Sequence, residues 1–218
     1  MNRANLPKSS LITTPYIVCA MVGVIFASSF VLAQETPPGS VFHPNQEVRV
    51  AGLAVRTARS HSPTDVLVAE LETILHDPEI CCGKNSALGD AVLSADPLSL
   101  KDVSTKLQGR HLLSDGRPIM IAAEYVAANS LHADQIINPL LNQQAGLIEW
   151  KSHLYVLYGA NFNETIYDAG GRDYAIHKLF LLDPRFAENN DRRQVSFDRE
   201  TNDWSEVQGL AMLTVSPR

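Results

Sequence analysis

Cysteine is scarce in this chain, with three in 218 residues, and the two that lie beyond the first 33 positions, Cys81 and Cys82, are adjacent. Neighbouring residues close no loop, so a disulfide-stapled scaffold is excluded. No Gly-rich phosphate loop occurs, which removes the usual nucleotide-binding signature. Runs of Lys or Arg are missing too: 18 basic residues against 24 acidic ones give a formal charge of −6. Such a balance excludes nucleic acid as the expected partner. The 12 Gly and 12 Pro follow no period, and no internal repeat is present, so collagen-like, low-complexity and solenoid architectures fall away. What is present is a 45% hydrophobic content, enough for one core of ordinary size in a single domain.

The N-terminal segment sets the expected compartment. Arg3 and Lys8 precede an uncharged, apolar-rich run over residues 16–33, and Val31-Leu32-Ala33 places small residues where a signal peptidase reads, just before Gln34-Glu35-Thr36. The pattern predicts a secretory signal over 1–33 and export to the periplasm or the extracellular space. An uncleaved membrane anchor is the alternative, since 18 residues lie at the lower limit for crossing a bilayer; a membrane partner is expected only in that case. Cleavage after Ala33 would leave 185 residues and remove two basic side chains, moving the charge to −8. In an oxidising compartment the Cys81-Cys82 pair is then a strained vicinal disulfide, a metal ligand set, or a reactive thiol beside a bystander.

Residues 34–46, with Pro37-Pro38-Gly39-Ser40 and Pro44, predict a linker, and the folded domain is expected over 47–218. Ser62-Pro63-Thr64-Asp65 is a helix start, followed by Val66, Leu67, Leu71, Ile74 and Leu75 on one face, and His76-Asp77-Pro78 is a stop. A second helix is predicted from Cys82-Gly83 and a third after Ser99, whose spacing to Asp102 suits a capping box. Residues 132–144 read as a helix or a long loop. Strands are predicted at 118–125, at 154–158 ended by Gly159, at 178–182 stopped by Asp183-Pro184, at 194–197 and at 210–215. Helices first and strands afterwards argue for an α+β fold.

Three residues carry candidate chemistry. Cys82 opens a predicted helix, with Gly83 giving the backbone room and Lys84 adding positive charge, and a thiolate needs such an environment to form near neutral pH. His153 opens a strand after the polar Lys151-Ser152. Asp183 ends another strand and is fixed by Pro184. Cys81, Cys82 and His76 make a poor zinc set, since structural zinc takes four spaced ligands. Asp168, Asp173 and Asp191 follow no calcium-loop spacing. No metal and no cofactor is expected.

Cys82-Gly83-x-x-Ser86-Ala87-Leu88, Gly116-x-Pro118-Ile119-Met120-Ile121, His153-Leu-Tyr-Val-Leu-Tyr-Gly159 and Leu181-Leu182-Asp183-Pro184 follow in an order that resembles the papain-like cysteine peptidases, closest to the bacterial branch that includes the bacteriocin-leader peptidases. The resemblance covers residues 80–184. It implies a central Cys-bearing helix packed on an antiparallel sheet, a peptide or protein substrate, and a triad of Cys82 as nucleophile, His153 as general base and acid, and Asp183 orienting the imidazole. Cys82 is preferred over Cys81 because the Gly of the motif follows the nucleophile directly.

The sequence departs from that family in two places. A Gln about six residues before the nucleophile is usual and here the position is His76, which either forms an oxyanion hole with the Cys82 N–H or merely ends the preceding helix. The 30 residues from His153 to Asp183 exceed a tight hairpin, and the polar stretch 161–177 is either a loop shaping substrate access or a longer hairpin. A cell-wall amidase or transglutaminase-like enzyme on the same triad, and an inactive peptide-binding module of the same shape, are the alternative functions.

Overall fold

The computed structural model describes residues 39–75, 99–112, 118–187 and 189–217, all within one compact unit, Thr36–Arg218. Its elements are β1 (Ser40–Arg49), α1 (Pro63–Leu75), α2 (Leu100–Leu107), β2 (Gly109–Leu112), β3 (Pro118–Ala127), α3 (Ala133–Leu141), β4 (Gly146–Trp150), β5 (His153–Tyr167), β6 (Arg172–Leu182), β7 (Gln194–Asp198) and β8 (Val207–Pro217). The fold is mixed α+β, with three α-helices among the described residues and one antiparallel eight-stranded sheet.

The helices start where local chemistry directs. Ser62 Oγ accepts the Asp65 N–H at 3.2 Å, and Pro63, which has no N–H to satisfy, takes the first helical position of α1. Ser99 Oγ accepts the Asp102 N–H at 3.1 Å and donates to its carboxylate at 2.7 Å, capping α2. The stretch 132–144 contains α3 over Ala133–Leu141, with the His132 N–H donating to Gln135 Oε1 at 2.9 Å. α1 lies against β5 and β8, α2 against β3 and β8, and α3 against β6, β5 and β1.

The sheet runs β2-β3-β8-β4-β5-β6-β7, and β1 joins β5 off this path. β5 is the organising strand. Its first residues pair with β4, Leu157 opposite Gly146, and its later ones with β1, Gly159 opposite Arg49 through to Tyr167 opposite Ser40. β6 runs along its other side, from Val156 opposite Leu182 to Ile166 opposite Arg172. Tyr155, Val156 and Leu157 are buried in succession, so both faces of β5 are covered there. Trp150 packs on Tyr155 and, edge to face, on Phe197, which in turn meets Trp204.

Two expectations are corrected. Residues 40–46 are the first part of β1 and not linker: Ser40, Val41, Phe42 and His43 pair with Tyr167, Ile166, Thr165 and Glu164, and a register shift between His43 and Gln46 accommodates Pro44-Asn45. β5 does not end at Gly159. The paired β1 backbone lies so close there that a Cβ would stand 2.6 Å from the Val48 carbonyl oxygen, and the register against β6 slips between Leu157 and Gly159. The glycine marks a bulge in a continuing strand. The polar stretch 161–177 is accordingly the far end of a long β5-β6 hairpin, its turn closed by Gly170 N–H to Tyr167 O at 2.8 Å.

Candidate active site

His153 stands where β4 turns into β5. The turn has two central residues, Lys151 and Ser152, both at positive φ (52° and 60°), the type I′ geometry that matches strand twist but ordinarily takes Asn-Gly. Neighbours hold the strained backbone. The Lys151 N–H donates to the Glu206 carbonyl at 3.1 Å, its ammonium lies 3.2 Å from the Glu206 carboxylate, and the Ser152 N–H donates to Gln208 Oε1 at 3.2 Å. Trp150 and His153 face each other across the turn.

Asp183 follows the last residue of β6. Since Val156 pairs with Leu182, continuing the register sets Asp183 beside Tyr155, two residues along from His153. The 30-residue separation is thus the length of the hairpin, whose two chain ends meet at one end of neighbouring strands. Backbone bonds fix the corner: the Asp183 N–H donates to Arg193 O and the Ala58 N–H to Pro184 O, each at 2.8 Å.

Between the two stands Arg185. Asp183 is 2% exposed, and its carboxylate accepts from the Arg185 backbone N–H at 3.0 Å, from Nε at 2.8 and 3.0 Å and from Nη2 at 2.5 Å. The remaining nitrogen, Nη1, lies 3.4 Å from His153 Nδ1. Guanidinium only donates, so this contact is a hydrogen bond when Nδ1 is the accepting nitrogen of the ring. Asp183 therefore reaches His153 through Arg185, and the direct carboxylate–imidazole contact expected from the sequence is replaced by this chain. The Tyr155 ring lies 5.8 Å from the guanidinium carbon, and its hydroxyl accepts from Nη2 at 3.5 Å.

A second acid lies within the same electrostatic neighbourhood. Glu70, on α1, is fully buried, and neither carboxyl oxygen has a hydrogen-bond partner among the described residues. Burial pushes its carboxyl well above the usual glutamate range, Asp183 pushes the same way and the Arg185 guanidinium opposes both. Burial also raises the Tyr155 phenol. The bond to Asp183 keeps Arg185 firmly protonated.

A cavity of about 200 Å³ adjoins the cluster, lined among the described residues by His61, Pro63, Val66, Ser152, Leu154, His153 and Arg185. Cys81, Cys82 and His76 lie outside the described residues. No group of three or more His, Cys, Asp or Glu side chains among the described residues is placed to hold a metal.

No family model matches this chain. No curated protein matches it either. The residues overlooked in the sequence are Glu70 and Arg185. Glu70 falls three after Leu67 and four before Ile74, on the apolar stripe of α1 itself, and an acid at such a position signals either a partner or a raised pKa. Arg185 is two residues from Asp183, close enough for a fork-on-carboxylate pair.

Proposed function

We propose that the chain is an exported, papain-like cysteine hydrolase that cleaves peptide or other amide bonds, with Cys82 as nucleophile and His153 as general base and acid. The observation that carries the reading is the convergence of the exposed His153 and the buried Asp183 from opposite ends of a long hairpin onto one charge-linked cluster beside a cavity. In the reaction His153 takes the thiol proton and the Cys82 sulfur bonds to the substrate carbonyl carbon. The C–N bond breaks, the imidazolium returns its proton to the leaving amine, and water cleaves the thioester to a carboxylic acid and free thiol. Imidazolium has no accepting nitrogen, so the 3.4 Å contact with Arg185 opens as the ring gains its proton. Asp183 holds the guanidinium, and through it the orientation of the His153 ring.

A second reading, a binding module of the same shape without hydrolysis, draws on the same contact: Asp183 binds Arg185 instead of His153. One experiment divides the two. An activated Cys82 is alkylated well below the ordinary thiol pKa of about 8.5, His153→Ala slows that alkylation, and Cys82→Ser abolishes cleavage of a peptide library read by mass spectrometry. Ordinary alkylation with no cleavage product favours the binding module. Full cleavage by Cys82→Ser overturns the hydrolase.

A further inference from the structure

Protonation of His153 during the proposed reaction would place an imidazolium beside the Arg185 guanidinium. Asp183 does not offset that imidazolium directly, because its carboxylate is turned to the Nε and Nη2 side of the guanidinium. The opposite side, Nη1, faces His153, and both residues line the cavity. The two contacts differ greatly in strength. The bonds to Asp183 are short, charged and shielded, whereas the bond to His153 is long and easily exchanged for a ligand oxygen. Asp183 and Tyr155 thus hold the guanidinium fixed while one edge of it stays available, which is how a rigid anion-recognising arginine is built.

The other polar groups around the cavity agree. His61, Ser152 and His153 can each donate a hydrogen bond, and no carboxylate is among the described lining residues. We propose that Arg185 is a substrate-binding, specificity-determining residue, and that with His153 and His61 it seats a substrate carboxylate in the cavity beside the bond to be cleaved. The inference rests on the hydrolase reading and names its substrate class: peptides carrying an acidic group next to the reacting amide. The bound carboxylate lies against both cations, takes the Nη1 bond from the ring and stabilises the imidazolium as it forms.

The test uses the full chain and three probes: N-acetyl-glutamate α-amide, N-acetyl-glutamine with its α-carboxylate free, and neutral N-acetyl-glutaminamide. Imidazole NMR signals of His153 and His61, assigned with His153→Gln and His61→Gln, are followed through each titration. At least one carboxylate probe is expected to move both signals with about tenfold tighter binding than the neutral probe, the size of one charge-assisted hydrogen bond; which one distinguishes a side-chain from a terminal carboxylate. Arg185→Lys, which keeps the charge but loses the fork, and His61→Gln, at an exposed position, both reduce that preference. Equal binding of all three probes, or a preference that survives both variants, overturns the proposal. Alkylation separates this inference from the reading beneath it. At an activated Cys82, iodoacetate outpaces iodoacetamide relative to their ratio on free cysteine, and equal relative rates there overturn the carboxylate site. Inertness of Cys82 to both reagents overturns the hydrolase, and the titrations then judge the carboxylate site by themselves.

Discussion

Two acids and one guanidinium share the neighbourhood of His153, and unequal exposure sets the cost of changing each. Asp183 is almost wholly buried, while the Arg185 side chain is 22% exposed. Removing Arg185 strands a charge that water does not reach; removing Asp183 leaves a cation that partly does. Breaking a buried pair costs about 3–5 kcal/mol. Arg185→Ala is expected near the top of that range and Asp183→Asn near or below its bottom, measured by chemical denaturation at neutral pH. Equal costs would mean that the carboxylate has another partner. Glu70 yields a pH prediction. Its folded-state pKa is raised, so the native state holds this proton more tightly than the unfolded chain. The resulting stability is whole below the unfolded value of about 4.3 and drains away as pH rises through the folded value. Glu70→Gln replaces a neutral acid with a neutral amide, so the two proteins are expected to melt alike in acid and the variant to melt increasingly higher toward alkaline pH. A constant gap across pH would show that Glu70 binds its proton equally in the folded and unfolded protein, with no raised pKa. Of this cluster, His153 and Asp183 were legible as polar residues at predicted strand ends. Arg185 was not, because a side chain's choice between carboxylate and solvent is made by tertiary packing, to which a linear pattern is blind.

The β4-β5 turn shows the same limit among the elements. Two-residue hairpins announce themselves through Asn-Gly or Asp-Gly, and Lys151-Ser152 lacks both residues, so β4 went unread although β5 was plain. The strain is tolerated because Glu206 and Gln208 hold the turn from the start of β8. Left-handed backbone costs a non-glycine residue about 1–2 kcal/mol. Replacing Lys151-Ser152 with Asn-Gly is therefore expected to stabilise the fold by about 1–2 kcal/mol after the lost Lys151 ion pair is allowed for, since exposed pairs contribute about 0–1 kcal/mol. Thermal and denaturant unfolding measure this directly. A destabilised variant would mean that the turn depends on the lysine more than on its backbone geometry. The capped helices were easier to read: Ser62-Pro63 and Ser99-x-x-Asp102 encode their starts in adjacent chemistry. Gly159 misled, for a glycine that ends one strand and a glycine that admits a closely paired neighbour look identical until the partner is known.

At the scale of the whole domain, the α+β class was legible, but helices do not simply give way to strands: β1 precedes α1, and α3 lies between β3 and β4. The sheet's membership was not legible. β1 is polar and carries Pro44, and its place depends on pairing with a strand more than 110 residues later in the chain, a contact that no local signal records. That pairing gives β1 a thermodynamic role that its composition conceals. From Ser40 to His43 it covers the edge of β5 at Glu164–Tyr167, and an uncovered edge both loses ladder hydrogen bonds and offers a template for association. A chain beginning at Glu47, where the sequence alone would start the domain, keeps Val48 in the core but gives up this part of the ladder. At about 1 kcal/mol net for each bond, it is expected to be about 2–4 kcal/mol less stable than a chain beginning at Thr36, and more prone to associate as concentration rises. Denaturation and light scattering on the two proteins decide the matter. Identical stability would show that residues 40–46 only rest against β5, whereas the expected loss would establish them as part of the fold that brings the two ends of the β5-β6 hairpin together around His153.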